Sequence, residues 1–173
     1  LKCTGEVADG YEFVDKDHQP KQIVVAGPDE VLKNLASLTI EEDITGISES
    51  VEKDIDLLEY LPEGVTLVGD DTSVAVSISV EKLESKEYII YPSEITIRNN
   101  SDRVVNYQSV SGIIAKIEGT SSEMNLLTRL DLKPYIDILS LSNGMHSIPV
   151  RFELPKGVEL VNEPSVTFTL TER

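Results

Sequence analysis

Hydrophobic and polar residues alternate strictly in two segments of the chain. In residues 74–80, valines and an isoleucine are separated by Ala75, Ser77 and Ser79; in residues 166–170, Val166, Phe168 and Leu170 are separated by threonines. Successive side chains of a β-strand point to opposite faces, so each segment is predicted to be a strand with one face on a core and the other in solvent.

An internal repeat lies just before both strands. Residues 61–68, Leu-Pro-Glu-Gly-Val-Thr-Leu-Val, recur at 154–161 as Leu-Pro-Lys-Gly-Val-Glu-Leu-Val, with six of eight residues identical at an offset of 93. Proline favours the second position of a type I turn and glycine suits its fourth. Each copy therefore predicts a chain reversal followed by a short strand.

Weaker matches extend the repeat towards the N-terminus. Residues 23–27 align with 115–119 at an offset of 92, and residues 43–47 align with 137–141 at an offset of 94. One-residue insertions in loops account for this drift, since loops tolerate them at little cost.

A short helix is predicted after the glycine of each copy. In the first copy Pro28, Asp29 and Glu30 suit a helix N-terminus. The apolar stripe that follows them consists of Val31, Leu32, Leu35 and Leu38. In the second copy Thr120 and Glu123 have the spacing of a capping box ahead of Met124 and Leu127.

The repeat predicts a mainly β fold of two tandem small β-rich modules, each with one short helix, over residues 1–84 and 85–173. Five of the seven residues in 81–87 are charged, and this segment is predicted to be the short connection between the modules. A module of this length is large enough for a core of its own but only modestly stable.

Charge and chain length exclude several functional classes. The formal net charge is −16, which repels DNA and anionic lipid surfaces. No apolar run approaches the ~20 residues of a membrane span.

The chain begins at Leu1 without Met or a signal-peptide pattern, so we expect a piece of a longer protein whose targeting segment lies upstream. Cys3 is the only cysteine, so no internal disulfide can form. We expect Cys3 to be a buried or strand residue without a chemical role.

No set of residues predicts an enzyme. Residues 46–50, Gly-Ile-Ser-Glu-Ser, lack the closing glycine of a nucleophile elbow. Ser79 and Lys82 have Ser-x-x-Lys spacing, but at the end of a strand their side chains face opposite sides. We therefore expect no catalytic residues.

Metal and cofactor sites are not expected either. His18 and His146 lie in polar stretches of different modules and are expected at the surface, since one cysteine and two distant histidines do not make a zinc site. Asp15 and Asp17 lack the alternating ligands of a calcium loop and are expected to be solvated loop acids. There is no glycine-rich phosphate cradle.

Charge is distributed unevenly along the chain. Residues 1–84 hold 20 acids and 6 bases, a net charge of −14, whereas residues 85–173 hold 11 acids and 9 bases, a net charge of −2. In a strand over residues 50–57, Glu52, Asp54 and Asp56 would face solvent together, leaving Lys53 on the apolar side. Aligning Ile55 with Ile148 places Ser147, Pro149 and Arg151 on the corresponding face of the second copy.

Two interpretations of the three acids stay open. They form either a partner-facing, cation-attracting patch or an edge that keeps the modules soluble and unpaired; we favour the second.

The repeated motifs, in their order, resemble the YbbR family. The resemblance rests on residues 24–28 (Val-Val-Ala-Gly-Pro), 43–46 (Asp-Ile-Thr-Gly) and the turn at 61–65 in the first copy. In the second copy it rests on 137–141, 143–146, 148–150 and the turn at 154–158, with Thr120 in place of the usual proline.

The resemblance implies a bacterial protein with an N-terminal transmembrane helix, absent from this chain, and several modules outside the membrane. Similar proteins regulate the membrane diadenylate cyclase that makes cyclic di-AMP, and no catalytic residues of the family are known to carry over. We therefore expect non-catalytic, extracytoplasmic regulatory modules whose partners are that cyclase and neighbouring modules. The alternative is a structural spacer array at the cell surface; an orphan hydrolase is a third possibility.

Overall fold

The computed structural model describes residues 1–70, 72–100 and 102–173, which divide into two compact units, Leu1–Lys82 and Leu83–Arg173. The predicted mainly β class is confirmed, because the described residues form fifteen strands and only two short α-helices.

The first unit contains β1 (Lys2–Thr4), β2 (Tyr11–Gln19), β3 (Val25–Ala26), α1 (Asp29–Leu32), β4 (Glu41–Asp43), β5 (Val51–Asp56), a 3-10 helix (Leu57–Tyr60), β6 (Thr66–Leu67) and the beginning of β7 (Ser73–Ile90). Residues 73–82 of β7 lie between β2 and β5, and both pairings are antiparallel. β1 pairs with β4 in parallel, and β3 pairs with β6 in antiparallel orientation.

The core of the first unit lies under the inner face of β7. Its buried residues are Ile40, Ile44, Leu57, Val74, Val76, Ile78 and Val80. The alternation predicted for residues 74–80 is therefore confirmed, with the valines and isoleucine buried and Ala75 exposed.

The second unit contains the remainder of β7, a 3-10 helix (Pro92–Glu94), β8 (Thr96–Arg98), β9 (Arg103–Tyr107), β10 (Ile113–Thr120), α2 (Ser121–Leu126), a 3-10 helix (Arg129–Asp131), β11 (Pro134–Asp137), β12 (Gly144–Pro149), β13 (Arg151–Phe152), β14 (Val158–Leu160) and β15 (Ser165–Glu172). β15 lies between β12 and β9, β10 lies between residues 83–90 of β7 and β14, and β11 lies between β13 and β8. Phe168, Ile136, Ile138, Leu132 and Leu170 are completely buried in its core.

The two units share four strand pairings. A parallel pair (β1 with β4, β8 with β11) comes first, then an antiparallel pair that includes the repeated turn (β3 with β6, β10 with β14). The last strand of each unit then lies between two antiparallel neighbours (β2 and β5, β9 and β12). Ile55 is opposite Val74 and Ile148 is opposite Val166, so the alignment of Ile55 with Ile148 agrees with the register.

The second predicted helix is confirmed and the first is shorter than expected. Thr120 and Glu123 form the predicted capping box at the start of α2. α1 ends at Leu32, and Pro28 precedes the helix instead of occupying its first turn. Asn34 explains the early end, because its side-chain amide donates to the carbonyl of Glu30 (2.9 Å) and its backbone N–H makes an i→i+3 bond to Val31.

The segment predicted to connect the modules is part of a strand, and the division between the two units, after Lys82, falls inside it. Residues 81–87 lie inside β7, the earlier part pairing with β2 and the later part with β10. Composition misleads here because the charged side chains can be solvated while the backbone pairs. Glu87 is opposite Lys116, a favourable cross-strand combination.

Candidate interaction surface on the first unit

The three acids singled out from the sequence all lie on β5 and are exposed. β5 runs from Val51 to Asp56, and Leu57 begins the 3-10 helix rather than ending the strand. Glu52 is opposite Ser77 of β7, and Asp54 is opposite Ala75. Residues opposite each other in a ladder project from the same face, so the acids share the outer face of the sheet with these small residues.

β2 brings two more acids to that face from the other side of β7. Asp17 is opposite Ser77, and Asp15 is opposite Ser79 beyond a bulge at Val14. The expectation that Asp15 and Asp17 belong to a loop is therefore wrong, since they are strand residues. The acidic face thus consists of Asp15, Asp17, Glu52, Asp54 and Asp56, divided by β7.

The acidic face encloses a groove of about 400 Å³. Ala75 and Ser77 form its floor, and Asp17, Glu52 and Asp54 line its walls. The groove exists because β7 carries short side chains outward while both neighbouring strands carry longer ones. Its chemistry favours a cationic or hydrogen-bond-donating group, because carboxylates only accept hydrogen bonds when ionised.

Lys21 modifies the charge of the groove, whereas the His18 side chain adds no charge to it. Lys21 forms an ion pair with Asp17, and this hydrogen bond, with a second from the backbone N–H of His18, lowers the pKa of the Asp17 carboxyl. Partial burial lowers the pKa of His18, so its imidazole is neutral at neutral pH. Lys21 thus offsets the negative charge of Asp17 on the β2 wall of the groove, whereas Glu52 and Asp54 on the β5 wall have no such ion pair in the described part of the chain.

Lys53, a charged residue that the sequence places on the apolar side of β5, forms an ion pair there. Its Nζ lies 2.5 Å from Oε2 of Glu42 on β4, whose side chain is only 12% exposed. The ammonium reaches the edge of the core and compensates a carboxylate that would otherwise be costly to desolvate.

Asp56 also has a structural role, because its Oδ1 accepts from the backbone N–H of Leu58 (2.9 Å) and caps the 3-10 helix.

In the second unit, the described positions that correspond to the acidic face carry no charge. Asn106, Met145 and Ser147 occupy the positions of Asp17, Glu52 and Asp54, and Pro149 follows in place of Asp56. Arg151 does not share this face, contrary to expectation, because the chain leaves β12 after Pro149 and Arg151 pairs with Tyr135 in a different sheet. The fold therefore does not need charge at these positions.

The other candidate residues are not brought together. The Ser50 hydroxyl accepts from the backbone N–H of Val80 (3.0 Å) and donates to its carbonyl (3.3 Å). His18 and His146 are half-buried strand residues rather than surface residues, since each faces inward, opposite Val76 and Phe168 respectively. Within the described residues, no group of three or more His, Cys, Asp or Glu side chains could hold a metal ion.

Sequence reasoning missed the contribution of β2 to this surface. The signal was present in Asp15 and Asp17, two acids at the i, i+2 spacing of one strand face, but the surrounding charges suggested a loop.

Cys3 lies half-buried on β1 against the core of the first unit. None of the described helices is both long enough and apolar enough to span a membrane.

One of the proteins to which this chain is similar is a regulatory protein. The chain is 22% identical over 160 residues to the CdaA regulatory protein CdaR of Bacillus subtilis (strain 168), an alignment that covers 91% of this chain. The chain spans only 32% of the length of that relative.

Two solved structures are also similar. Domain IV of the YbbR family protein of Desulfitobacterium hafniense is 30% identical, covering 46% of this chain and 82% of that domain with a TM-score of 0.39. A YbbR-like protein from Streptococcus pneumoniae TIGR4 is 14% identical, covering 98% of this chain and 92% of its own with a TM-score of 0.36. The family model of YbbR-like proteins matches residues 1–98, more than half of the chain, and the chain therefore belongs to the YbbR-like family.

Proposed function

We propose that this chain is a non-catalytic regulatory region of a membrane-anchored bacterial protein, acting outside the cytoplasm on a membrane diadenylate cyclase and hence on cyclic di-AMP synthesis. The observation that carries the proposal is the alignment with a CdaA regulatory protein over 91% of the chain. Membership of the YbbR-like family supports it.

The proposal includes two modules, residues 1–84 and 85–173. Three features support this division: the sequence repeat, the four pairings that both units share, and two hydrophobic clusters that share no residue. Repetition of one fold with different surface charge would let one module specialise while the other keeps a neutral surface.

For the acidic face we propose a role in solubility. The backbone of β5 is at a sheet edge, since β5 pairs with β7 alone among the described strands. Carboxylates at Glu52 and Asp54 discourage another strand from approaching this edge, because bringing like charges together is unfavourable. Binding of a basic partner in the groove is the competing role, and replacing Glu52 and Asp54 together distinguishes the two.

The central experiment replaces this region within the full-length parent protein. In the bacterium that encodes it, residues 1–173 are exchanged for an unrelated rigid domain pair of similar length, and cyclic di-AMP is measured in cells with matched protein levels. A regulator loses control of cyclic di-AMP after the exchange, and a cyclase no longer co-purifies with the parent. Unchanged cyclic di-AMP would instead support a spacer whose only task is reach.

A further inference from the structure

The free edge of β12 in the second unit has the geometry of a strand-pairing site. Among the described strands β12 pairs only with β15. The N–H of Val150 donates to the carbonyl of Pro164 (2.8 Å), and the N–H of Gln108 donates to the carbonyl of Thr167 (3.0 Å). Backbone groups alternate in direction along a strand, so His146 and Ile148 bond to β15 while Met145 and Ser147 direct their N–H and C=O groups outward.

This edge lacks the charges that usually protect an exposed strand. β12 has the sequence Gly-Met-His-Ser-Ile-Pro, with no acidic residue, lysine or arginine. The corresponding strand β5 carries Glu52, Asp54 and Asp56 in the corresponding outward positions. Unprotected edges bind other strands, whereas charged edges resist them. The two units thus present one charged and one uncharged version of the same edge.

Exposed apolar groups accompany the edge. The Met145 side chain is 72% exposed and that of Leu139 is 68% exposed. A groove of about 310 Å³ lies beside the C-terminal half of β12, lined by Leu139, Leu141, Ile148 and Pro149 together with Asp137, Ser140 and Arg151. A strand paired to β12 would therefore cover apolar surface as well as satisfy backbone groups.

We propose that β12 pairs with β12 of a second copy of this chain, antiparallel and about a two-fold axis at Ser147. In that register the N–H of Ser147 donates to the carbonyl of Ser147 in the second copy, and reciprocally. Met145 then lies opposite Pro149 of the second copy, beside the groove, and its N–H donates to that prolyl carbonyl. Pro149 has no N–H, so the pairing ends there.

Self-complementarity favours a second copy as the occupant, and the charge distribution places the contact on the second unit. An antiparallel edge is complementary to itself, as a two-fold interface requires. Residues 1–84 carry −14 and residues 85–173 only −2, so the second unit is where two copies approach with the least repulsion. The remaining repulsion between two chains of −16 is long-range and is screened by salt, so association strengthens as ionic strength rises.

Sedimentation velocity of the 173-residue chain over a range of concentrations, at low and high salt, tests the proposal. We expect a monomer–dimer equilibrium that tightens with salt. Ser147→Asp and Met145→Glu, which transfer the chemistry of β5 onto β12, should each weaken dimerisation by at least about tenfold. Ser147→Asp places two carboxylates opposite each other across the axis, and Met145→Glu puts a charge in place of the apolar side chain that would lie beside the groove of the second copy. Both side chains are exposed, and an unchanged melting temperature verifies that each variant is folded.

The matched control is Asn106→Asp. It adds the same charge to the same sheet face on β9, whose residue 106 is paired with Thr169, and it should leave the dimer intact. A chain that stays monomeric at all concentrations and salts overturns the proposal. A dimer that is insensitive to both β12 variants, or equally sensitive to Asn106→Asp, also overturns it, because the interface then lies elsewhere.

Discussion

A β-carbon on Gly157 would lie 1.5 Å from Oε1 of Glu123. The carboxylate of Glu123 is held there by the capping box, in which its Oε2 accepts from the hydroxyl of Thr120 (2.9 Å). The repeated turn of the second unit is thus packed directly against the start of α2. In the first unit the nearest atom to a β-carbon on Gly64 is 3.7 Å away, on Pro28.

Replacing the two turn glycines by alanine should have unequal effects. Gly64 and Gly157 have φ of 83° and 88°, so both substitutions strain the backbone at a cost of about 1 kcal/mol. Gly157→Ala must also displace the Glu123 carboxylate, which loses its hydrogen bonds from Thr120 at a further cost of roughly 0.5–1.5 kcal/mol. Urea unfolding should therefore show a larger loss of stability for Gly157→Ala than for Gly64→Ala.

A double-mutant cycle separates the two contributions. In a Glu123→Ala background the obstruction is gone, so Gly157→Ala should then cost no more than Gly64→Ala does in the natural chain. Equal costs of Gly157→Ala in both backgrounds would show that Glu123 is not the obstacle.

The two units should fold separately when the chain is divided between Lys82 and Leu83. Every buried residue of one core lies in residues 40–80 and every buried residue of the other in 88–170, so this cut leaves both cores intact. Each half should show its own cooperative unfolding transition by circular dichroism. Halves that are both molten or aggregated, with exposed hydrophobic surface, would contradict the two-module proposal.

Alternation and turn chemistry made much of this fold predictable. The strand at 74–80 and the turn before it depend on local rules, because residues with inward and outward positions differ in polarity and glycine has to adopt a positive φ. The capping box at Thr120 is equally local. Such features are determined by residues a few positions apart, and single-sequence reasoning reaches them.

Features set by distant partners escaped prediction. Residues 81–87 are strand because β2 and β10 supply backbone partners, which the charged composition hides. The position of Lys53 beside the core is explained by its ion pair with Glu42, eleven positions earlier in the sequence. The groove could not be predicted, because it depends on Asp17 and Glu52 lying on either side of Ser77 of β7. That strand register is defined only in the folded sheet.

Asp56 should matter for stability in a way that Asp54 does not. Its carboxylate caps the 3-10 helix that carries buried Leu57. Asp56→Ala should therefore destabilise the chain by about 1 kcal/mol, whereas Asp56→Ser, which retains a capping oxygen, should cost much less. Thermal unfolding of the two variants, with Asp54→Ala as the matched control on the same strand, measures the difference. A loss as large for Asp54→Ala as for Asp56→Ala would contradict the capping role.

Acid should weaken the second unit through Glu94. Its carboxylate accepts from Arg129 (2.7 Å to each oxygen) and from the backbone N–H of Tyr91 (2.7 Å), and these bonds lower its pKa in the folded state. A lowered pKa stabilises the fold above the unfolded value of about 4.3, and that stabilisation disappears as pH falls through the folded pKa. Glu94→Gln should flatten the decline of melting temperature in this acidic range, whereas Glu163→Gln, an exposed control, should not.

The acidic face can be tested with a double variant that spares the cap. Glu52 and Asp54 are exposed and separated by one residue on β5, so Glu52→Ser with Asp54→Ser should leave the free energy of unfolding nearly unchanged or slightly raise it as repulsion is relieved. If the face serves solubility, aggregation at high protein concentration should increase while cyclic di-AMP in cells stays the same. A basic partner in the groove predicts the opposite: weaker, less salt-dependent association with the partner and altered cyclic di-AMP at matched protein levels. That second outcome would contradict the solubility role proposed for the face, provided that Glu49→Ser, which replaces an exposed acid outside the face, has no such effect.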